Sequence, residues 1–301
     1  MKRVIDYTVT DSDADKTIHM FLREHFFPAK IITILKHTEN SVCLNGESVF
    51  LNTPLKAGDK LKINYCEDSS SPNIVPVKLD FTIVYEDEDI MVVDKPADMP
   101  VHPAINNFDN TLANALAYYF MEKGESFVFR SINRLDKNTS GLLIIAKHRL
   151  SGAILSDFMK KRRIHREYLA LAKGHFDDKS GTINLPIGRV NDSIIERFVD
   201  FENGEHAVTH YEVIKEFLAD SEFKEACSLL RIHLDTGRTH QIRVHLSHIG
   251  HPLLGDTMYN KEPGILKRQA LHSHILKFSH PITLEPMTFV SDVNFTSFCC
   301  S

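Results

Sequence analysis

The chain is short of the features that most readily assign a function. Across 301 residues no segment approaches the ~20 consecutive apolar residues of a membrane span. Lys2 and Arg3 at the amino terminus have no apolar run behind them, so no signal peptide is expected. The five cysteines, Cys43, Cys66, Cys227, Cys299 and Cys300, are scattered without metal-ligand spacing. They fit a reduced cytoplasm better than a disulfide framework. There is no glycine-rich phosphate loop, no His-Glu-x-x-His, no internal repeat and no low-complexity tract. Positive charge is also scarce. A net charge of -5 and a pI near 6.4 mean that any nucleic-acid contact must concentrate its cations locally.

What is present is a chain of globular composition, 43% hydrophobic and 25% charged, long enough for two domains or one large and one small. Residues 16–65 read as a small module of their own. Phe21, Leu22, Phe26 and Phe27 form one helical stripe, and Pro28 opens a second helix through Ile31, Ile32, Ile34 and Leu35. Val42–Leu44 runs into Asn45-Gly46, a two-residue hairpin turn, and a turn at Gly58-Asp59 feeds the alternating strand Lys60–Tyr65. The polar stretch Glu67–Asn73 reads as a linker, so the expected division is 1–66, a linker at 67–78, and a larger domain at 79–301.

In that larger part, Phe81–Tyr85 and Ile90–Asp94 read as strands. The proline-rich Lys95–Pro103 must be an extended loop, and Thr111–Phe120 a helix. Asn133-Arg134-Leu135-Asp136-Lys137-Asn138-Thr139-Ser140-Gly141 is turn-prone and feeds the apolar strand Leu142–Lys147. Loops held by a rigid strand commonly carry reactive groups. Arg134 and Lys137 flank Asp136 and favour its ionised form, as a nucleophile or base requires. A helix through Ile154, Leu155, Phe158 and Met159 then ends in Lys160-Lys161-Arg162-Arg163-Ile164-His165-Arg166, the densest basic run in the chain. By itself such a run is usually a solvated face. Tyr168 heads the apolar strand Glu167–Ala172 and by default is a core aromatic. Further on, Thr239 is a good helix N-cap, Ile242, Leu246 and Ile249 form a stripe, and Gly250 is a stop, which puts Arg243 beside the apolar face near the helix start.

Several of these stretches, in this order, resemble the RluA-type pseudouridine synthases. Arg134-Leu135-Asp136 with Thr139-Ser140-Gly141, the Lys95-Pro96 to His102-Pro103 loop, Tyr168, Gly237–Leu246, His251–Asp256 with Tyr259, Leu271–His274 and Phe278–Pro281 carry the resemblance, from about Phe81 to Pro281. It implies an α+β fold with a mixed, largely antiparallel sheet, flanking helices and a central active-site cleft. It also implies isomerisation of uridine to pseudouridine in structured RNA, ribosomal RNA ahead of transfer RNA, with no cofactor and no metal. Asp136 would be the catalytic carboxylate, Arg243 its partner, and Tyr168 the residue receiving the target base. The RNA contacts would come from Lys95, His102, Arg134, Lys160, Lys161, Arg162, Arg163, Arg166, Arg238, His240 and Gln241. Asn133 stands where the family usually has His, which bears on one RNA contact and leaves the Arg-Leu-Asp core intact. The amino-terminal module resembles, loosely, the RNA-binding domain of ribosomal small-subunit protein four, although its helices offer few cations beyond Arg23, Lys30 and Lys36.

Two other readings compete. A catalytically silent RNA-binding protein would follow from decay of the site, against which Asp136, Tyr168 and Arg243 are all in place. A metal hydrolase would use His240, His245, His248, His251, His272 and His274. A cytoplasmic monomer with RNA as its partner is expected.

Overall fold

The computed structural model describes residues 2–67, 70–71, 73–104, 107–190, 193 and 195–298. Part of the expected linker, at 68, 69 and 72, and the Cys299-Cys300 pair lie outside the described residues. The amino-terminal part is β1 (Lys2–Thr8), α1 (Ile18–Glu24), α2 (Ala29–His37), β2 (Val42–Leu44), β3 (Glu47–Ser48) and β4 (Lys60–Cys66), with the strands ordered β1-β4-β2-β3. Asn45 and Gly46 both take positive φ, 53° and 92°, as a type I′ hairpin requires. The expected stripe through Phe26 is interrupted. α1 stops at Glu24 and Phe26 sits in the left-handed region at φ 64°, turning its ring out to meet Phe158 edge-on at 5.2 Å. β1 was not anticipated. Its alternation is mixed with charge, and only the pairing of Lys2–Thr8 with β4 defines it.

The rest is β5 (Thr82–Glu86), β6 (Ile90–Lys95), α3 (Leu112–Glu122), β7 (Ser140–Ala146), α4 (Arg149–Lys160), β8 (His165–Lys173), β9 (Ser180–Asn184), β10 (Ile187–Arg189), β11 (Arg197–Val199), β12 (Val208–Phe217), β13 (Cys227–Leu234), α5 (Gln241–His248), β14 (Leu271–Ser279) and β15 (Pro286–Val290). Nine strands form one sheet, ordered β5-β6-β7-β14-β8-β13-β12-β9, with β15 added to β14. Every neighbouring pair is antiparallel except β7 with β14. β10 and β11 make a separate hairpin.

β7 is buried along its whole length because the sheet carries a core on each face. Leu142, Ile144 and Ala146 pack on α4 through Leu150, Ile154 and Phe158, while Leu143 and Ile145 face Leu116 and Phe120 of α3 and Ile242 and Leu246 of α5. That alternation is the period-two signature of a strand with two apolar faces. The α4 core does not end there. It is continuous with Phe21, Leu22, Ile31 and Ile63 of the amino-terminal part. Arg3 of β1 forks onto Asp89 with Nε and Nη2 at 2.8 and 2.9 Å, closing the same junction. The module expected at 1–66 thus shares a core with the sheet. Sequence separation by a polar linker says nothing about docking of the apolar faces it connects.

The parallel contact of β7 and β14 is what builds the site. Gly141, at φ 110°, lies against Ser273, where a Cβ would come within 2.3 Å of a carbonyl oxygen. Only glycine allows the approach, and the approach places the loop preceding β7 beside the strand that pairs with Tyr168.

Candidate active site

Asp136 lies in the loop before β7, and that loop is pinned from several sides. The Asn133 amide mimics a strand neighbour, accepting Ile144 N–H at 2.9 Å and donating to Leu142 O at 3.2 Å. Asn133 is buried, and its amide is engaged by the backbone of β7. Lys95, expected at the RNA surface, is corrected: it is fully buried, and its Nζ donates to the carbonyls of Pro96, Met99 and Lys137. Burial, reinforced by the charge of Arg268, lowers its pKa to about 7. Arg268 holds the other side, donating to Asn138 O at 2.9 Å and to Ser140 Oγ at 3.2 Å.

Arg243 comes from α5. Its Nη1 donates to Asp136 Oδ2 at 3.1 Å, joining residues 107 apart in the chain. The two-pronged contact goes elsewhere: Nε and Nη2 grip the two oxygens of Asp256 at 2.7 and 2.9 Å. Asp256 is fully buried and also accepts the backbone N–H groups of Met258 and Tyr259. Sequence reasoning gave Asp256 no role. The available signal was stoichiometric: a buried guanidinium has more donors than one half-exposed carboxylate can satisfy. Burial works against the charge on Arg243, but Asp256 and then Asp136 outweigh it and raise its pKa. Gly255 supports this arrangement, since at φ 73° it passes so close to Arg268 O that no Cβ fits.

The start of α5 differs from expectation. His240, not Thr239, is the N-cap, and it sits in the left-handed region at φ 57°. Gln241, the first residue of α5, braces the turn before the helix, its Oε1 accepting Arg238 N–H at 2.9 Å and the Thr236 hydroxyl at 2.8 Å, while its Nε2 donates to Val208 O and Thr209 Oγ1. Gln241 is therefore internal and is corrected as an RNA contact. His240 borders both the recess and the cleft. Its Nε2 stands 3.8 Å from Asp136 Oδ2 and its Nδ1 pairs with the Tyr259 hydroxyl at 2.9 Å, so it walls the carboxylate. Tyr259 also accepts Arg197 N–H and lays its ring 4.9 Å from the Arg243 guanidinium.

Burial lowers the His240 pKa to about 4, against the pull of Asp136. An unfolded histidine titrates near 6.5, so between about 4 and 6.5 the unfolded chain binds the extra proton and stability falls as pH falls. His240→Asn, a residue that tolerates the left-handed region, is expected to flatten the decline between pH 6.5 and 4. Urea unfolding across that window reads it, and an unchanged slope would refute the neutral imidazole.

Tyr168, on β8, is buried with its pKa raised by that burial, a shift that Asp136 reinforces and Arg166 opposes. Asp136, Tyr168, Arg243, Ile242 and Leu271 line a recess of about 50 Å³. That is room for one or two water molecules and less than a base requires. The recess opens into a cleft of about 1130 Å³ whose walls include His102, Arg134, Lys160, Arg162, Arg166 and Arg238. The basic run is therefore split. Lys160, Arg162 and Arg166 face the cleft, but Lys161 pairs with Asp157 along α4 and Arg163 packs over Phe26 and Phe158 at 5.0 and 5.7 Å, so these two do not line it. Arg162 takes a left-handed conformation, φ 56°, just beyond the end of α4. Arg162 is itself bridged to Asp235 and Arg238 to Glu205. Among the described residues Arg134, Lys160 and Arg166 have no carboxylate partner.

The histidines of the metal reading do not converge. His245 bonds Thr209 and Leu185 O, His251 stacks on Phe176 and bonds Lys173 O, and His272 bonds Ser140 and Ser291.

A carboxylate held by an arginine and a neutral imidazole, at the floor of a cleft walled by cations, defines a site for chemistry on a polyanion. The family model described as RNA pseudouridylate synthase matches residues 89–248. YhcT of Bacillus subtilis (strain 168), an uncharacterized RNA pseudouridine synthase, is 40% identical over 248 residues, covering 82% of this chain and 80% of its own. Ribosomal large subunit pseudouridine synthase D of Escherichia coli (strain K12) is 38% identical over 240 residues, covering 75% and 71%. Among solved structures, human RNA pseudouridylate synthase domain containing 1 is similar at 29% identity and TM-score 0.58, covering 71% of this chain and 84% of that one. The chain belongs to the RNA pseudouridylate synthase family. Its α+β architecture is the pseudouridine synthase fold, and its reaction is the isomerisation of uridine to pseudouridine within RNA.

Proposed function

We propose that Asp136 is the catalytic carboxylate of this reaction, that Arg243 holds it ionised and aimed, and that Tyr168 receives the uracil ring. The observation that carries the reading is the contact of Arg243 with Asp136 at the foot of the cation-lined cleft. In the reaction the bond from ribose C1′ to N1 breaks, the uracil turns, and a bond from C1′ to C5 forms. N1 gains a proton and C5 gives one up, so the atoms balance without a co-reactant. Asp136 acts at the ribose, as nucleophile on C1′ or as base; both routes use the same ionised oxygen. A stacked uridine must first be extruded, at a cost of a few kcal/mol. The small recess must widen as the base enters.

The cleft cations grip phosphates. Lys160→Ala is expected to weaken RNA binding and to reduce the slope of log affinity against log salt by ~0.7–0.9. Lys161→Ala, whose ammonium is paired with Asp157 outside the cleft, should leave that slope unchanged. Binding titrations over a salt series check both, and equal slopes for the two variants would contradict this division of the basic run.

The substrate we propose is ribosomal RNA. Support comes from the similarity to enzymes of Pasteurella multocida and Escherichia coli named ribosomal large subunit pseudouridine synthase D, each 38% identical. In this reading the larger domain, 79–301, works in the cytoplasm as a single chain, and the amino-terminal module braces the sheet, where its apolar side chains already lie. No helix among the described residues is long and apolar enough to cross a membrane. Chemical mapping of pseudouridine in unmodified ribosomal and transfer RNA tests the substrate. New sites in ribosomal RNA alone are expected; sites confined to transfer RNA would overturn that assignment.

A further inference from the structure

Arg166 differs from the other arginines around the site. It lies two residues before Tyr168 on β8 and so shares its face of the strand. Among the described residues it alone borders the cleft, the Asp136 recess and an adjoining groove of about 460 Å³ lined by His165, His233 and Lys277. Its guanidinium is only partly occupied. Nη2 makes one long bond to Thr236 O at 3.3 Å, the side chain also hydrogen-bonds Tyr168, and among the described residues Nε is buried without a partner. By contrast, Arg162, Arg231, Arg238 and Arg243 each have a carboxylate. A guanidinium offers five donors, and leaving a buried charged donor unsatisfied is expensive. The fold nevertheless makes room for it: a Cβ at Gly237 would lie 3.0 Å from Nη1, so the glycine leaves the guanidinium its space.

We propose that Arg166 binds the backbone phosphate of the uridine that enters the recess. The proposal rests on the reading of that recess as the uridine site. The missing partner must be an anion, must arrive with the substrate, and must sit between the cleft and Asp136. The phosphodiester joined to the target ribose meets all three conditions, and it is the group about which an extruded nucleotide pivots. A planar fork suits a phosphate better than the point charge of a lysine. Lys160, which borders the cleft but not the recess, binds a flanking phosphate and carries no preference for the target nucleotide.

The probes are uridine, 3′-UMP and 5′-UMP, titrated into the full chain by nuclear magnetic resonance. Wild type should bind one of the two monophosphates about tenfold more tightly than uridine, the scale of one charge-assisted contact. Arg166→Gln should lose that preference, Arg166→Lys should keep part of it, and Lys161→Gln, at a residue that pairs with Asp157 outside the cleft, should keep all of it. Thermal melting of Arg166→Gln should stay close to wild type, since Arg166 is half-buried and has no carboxylate partner among the described residues. A wild type without a phosphate preference, whether it binds all three probes equally or none, overturns the proposal, and so does a preference surviving in Arg166→Gln. Turnover of RNA by the same wild-type preparation separates the two failures: an active enzyme without the preference leaves the uridine site standing and removes only the phosphate role.

Discussion

Asp136→Asn is expected to fold, to bind RNA like wild type, and to lose turnover by on the order of 10⁴-fold or more, the scale seen when a central catalytic group is removed. The amide keeps the shape of the carboxylate and can still accept from Arg243 Nη1, but it cannot attack a carbon or take a proton. The fold should barely register the change. The Asp136 side chain keeps 17% of its exposure, and Arg243 remains neutralised by Asp256. Three readings on one preparation decide this: melting, RNA retention, and pseudouridine formation. An active variant would refute the assignment of Asp136.

Asp256→Asn is expected to be the more damaging change to stability. Removing one partner of a buried pair typically costs ~3–5 kcal/mol, because the other charge remains without compensation. Here the stranded charge is Arg243, 5% exposed, and the substituted amide would turn an N–H₂ toward one prong of its fork. Activity should fall as well. Freed from Asp256, the guanidinium is drawn wholly onto Asp136 and covers the oxygen that must face the substrate. Urea unfolding of the two variants gives the decisive ordering. A larger loss in Asp136→Asn than in Asp256→Asn would mean that Asp136 is the structural partner of Arg243 and Asp256 the lesser one.

Much of this was legible in the chain. The apolar run after Asp136 reads as a short buried strand, and β7 is one, buried along its whole length. The hairpin at Asn45-Gly46 and the helix capped by Thr111 follow from local chemistry alone. Arg243 could be placed beside an apolar face from the spacing of Ile242 and Leu246. What was hidden depends on contacts between distant segments. Lys95 reads as a surface cation, yet three carbonyls from two loops enclose it. Lys160 and Arg163 belong to one basic run, yet Lys160 borders the cleft while Arg163 packs on the rings of Phe26 and Phe158. The N-cap at Thr239 had the right residue type, but the helix starts one residue later, with His240 at the cap position. Asp256 follows an ordinary apolar-glycine turn, and its importance emerges only when the donors of a buried arginine are counted.

The central claim is that this chain moves the ribose bond of uridine from N1 to C5 through Asp136. Forming the C1′ to C5 bond expels the hydrogen at C5, so release of tritium to water from RNA labelled as [5-³H]uridine tests it most directly. Wild type should release tritium from unmodified ribosomal RNA in step with pseudouridine formation, and Asp136→Asn, still binding the same RNA, should release none above background. Release by Asp136→Asn at the wild-type rate would contradict the account, and so would a wild type that binds this RNA and releases nothing.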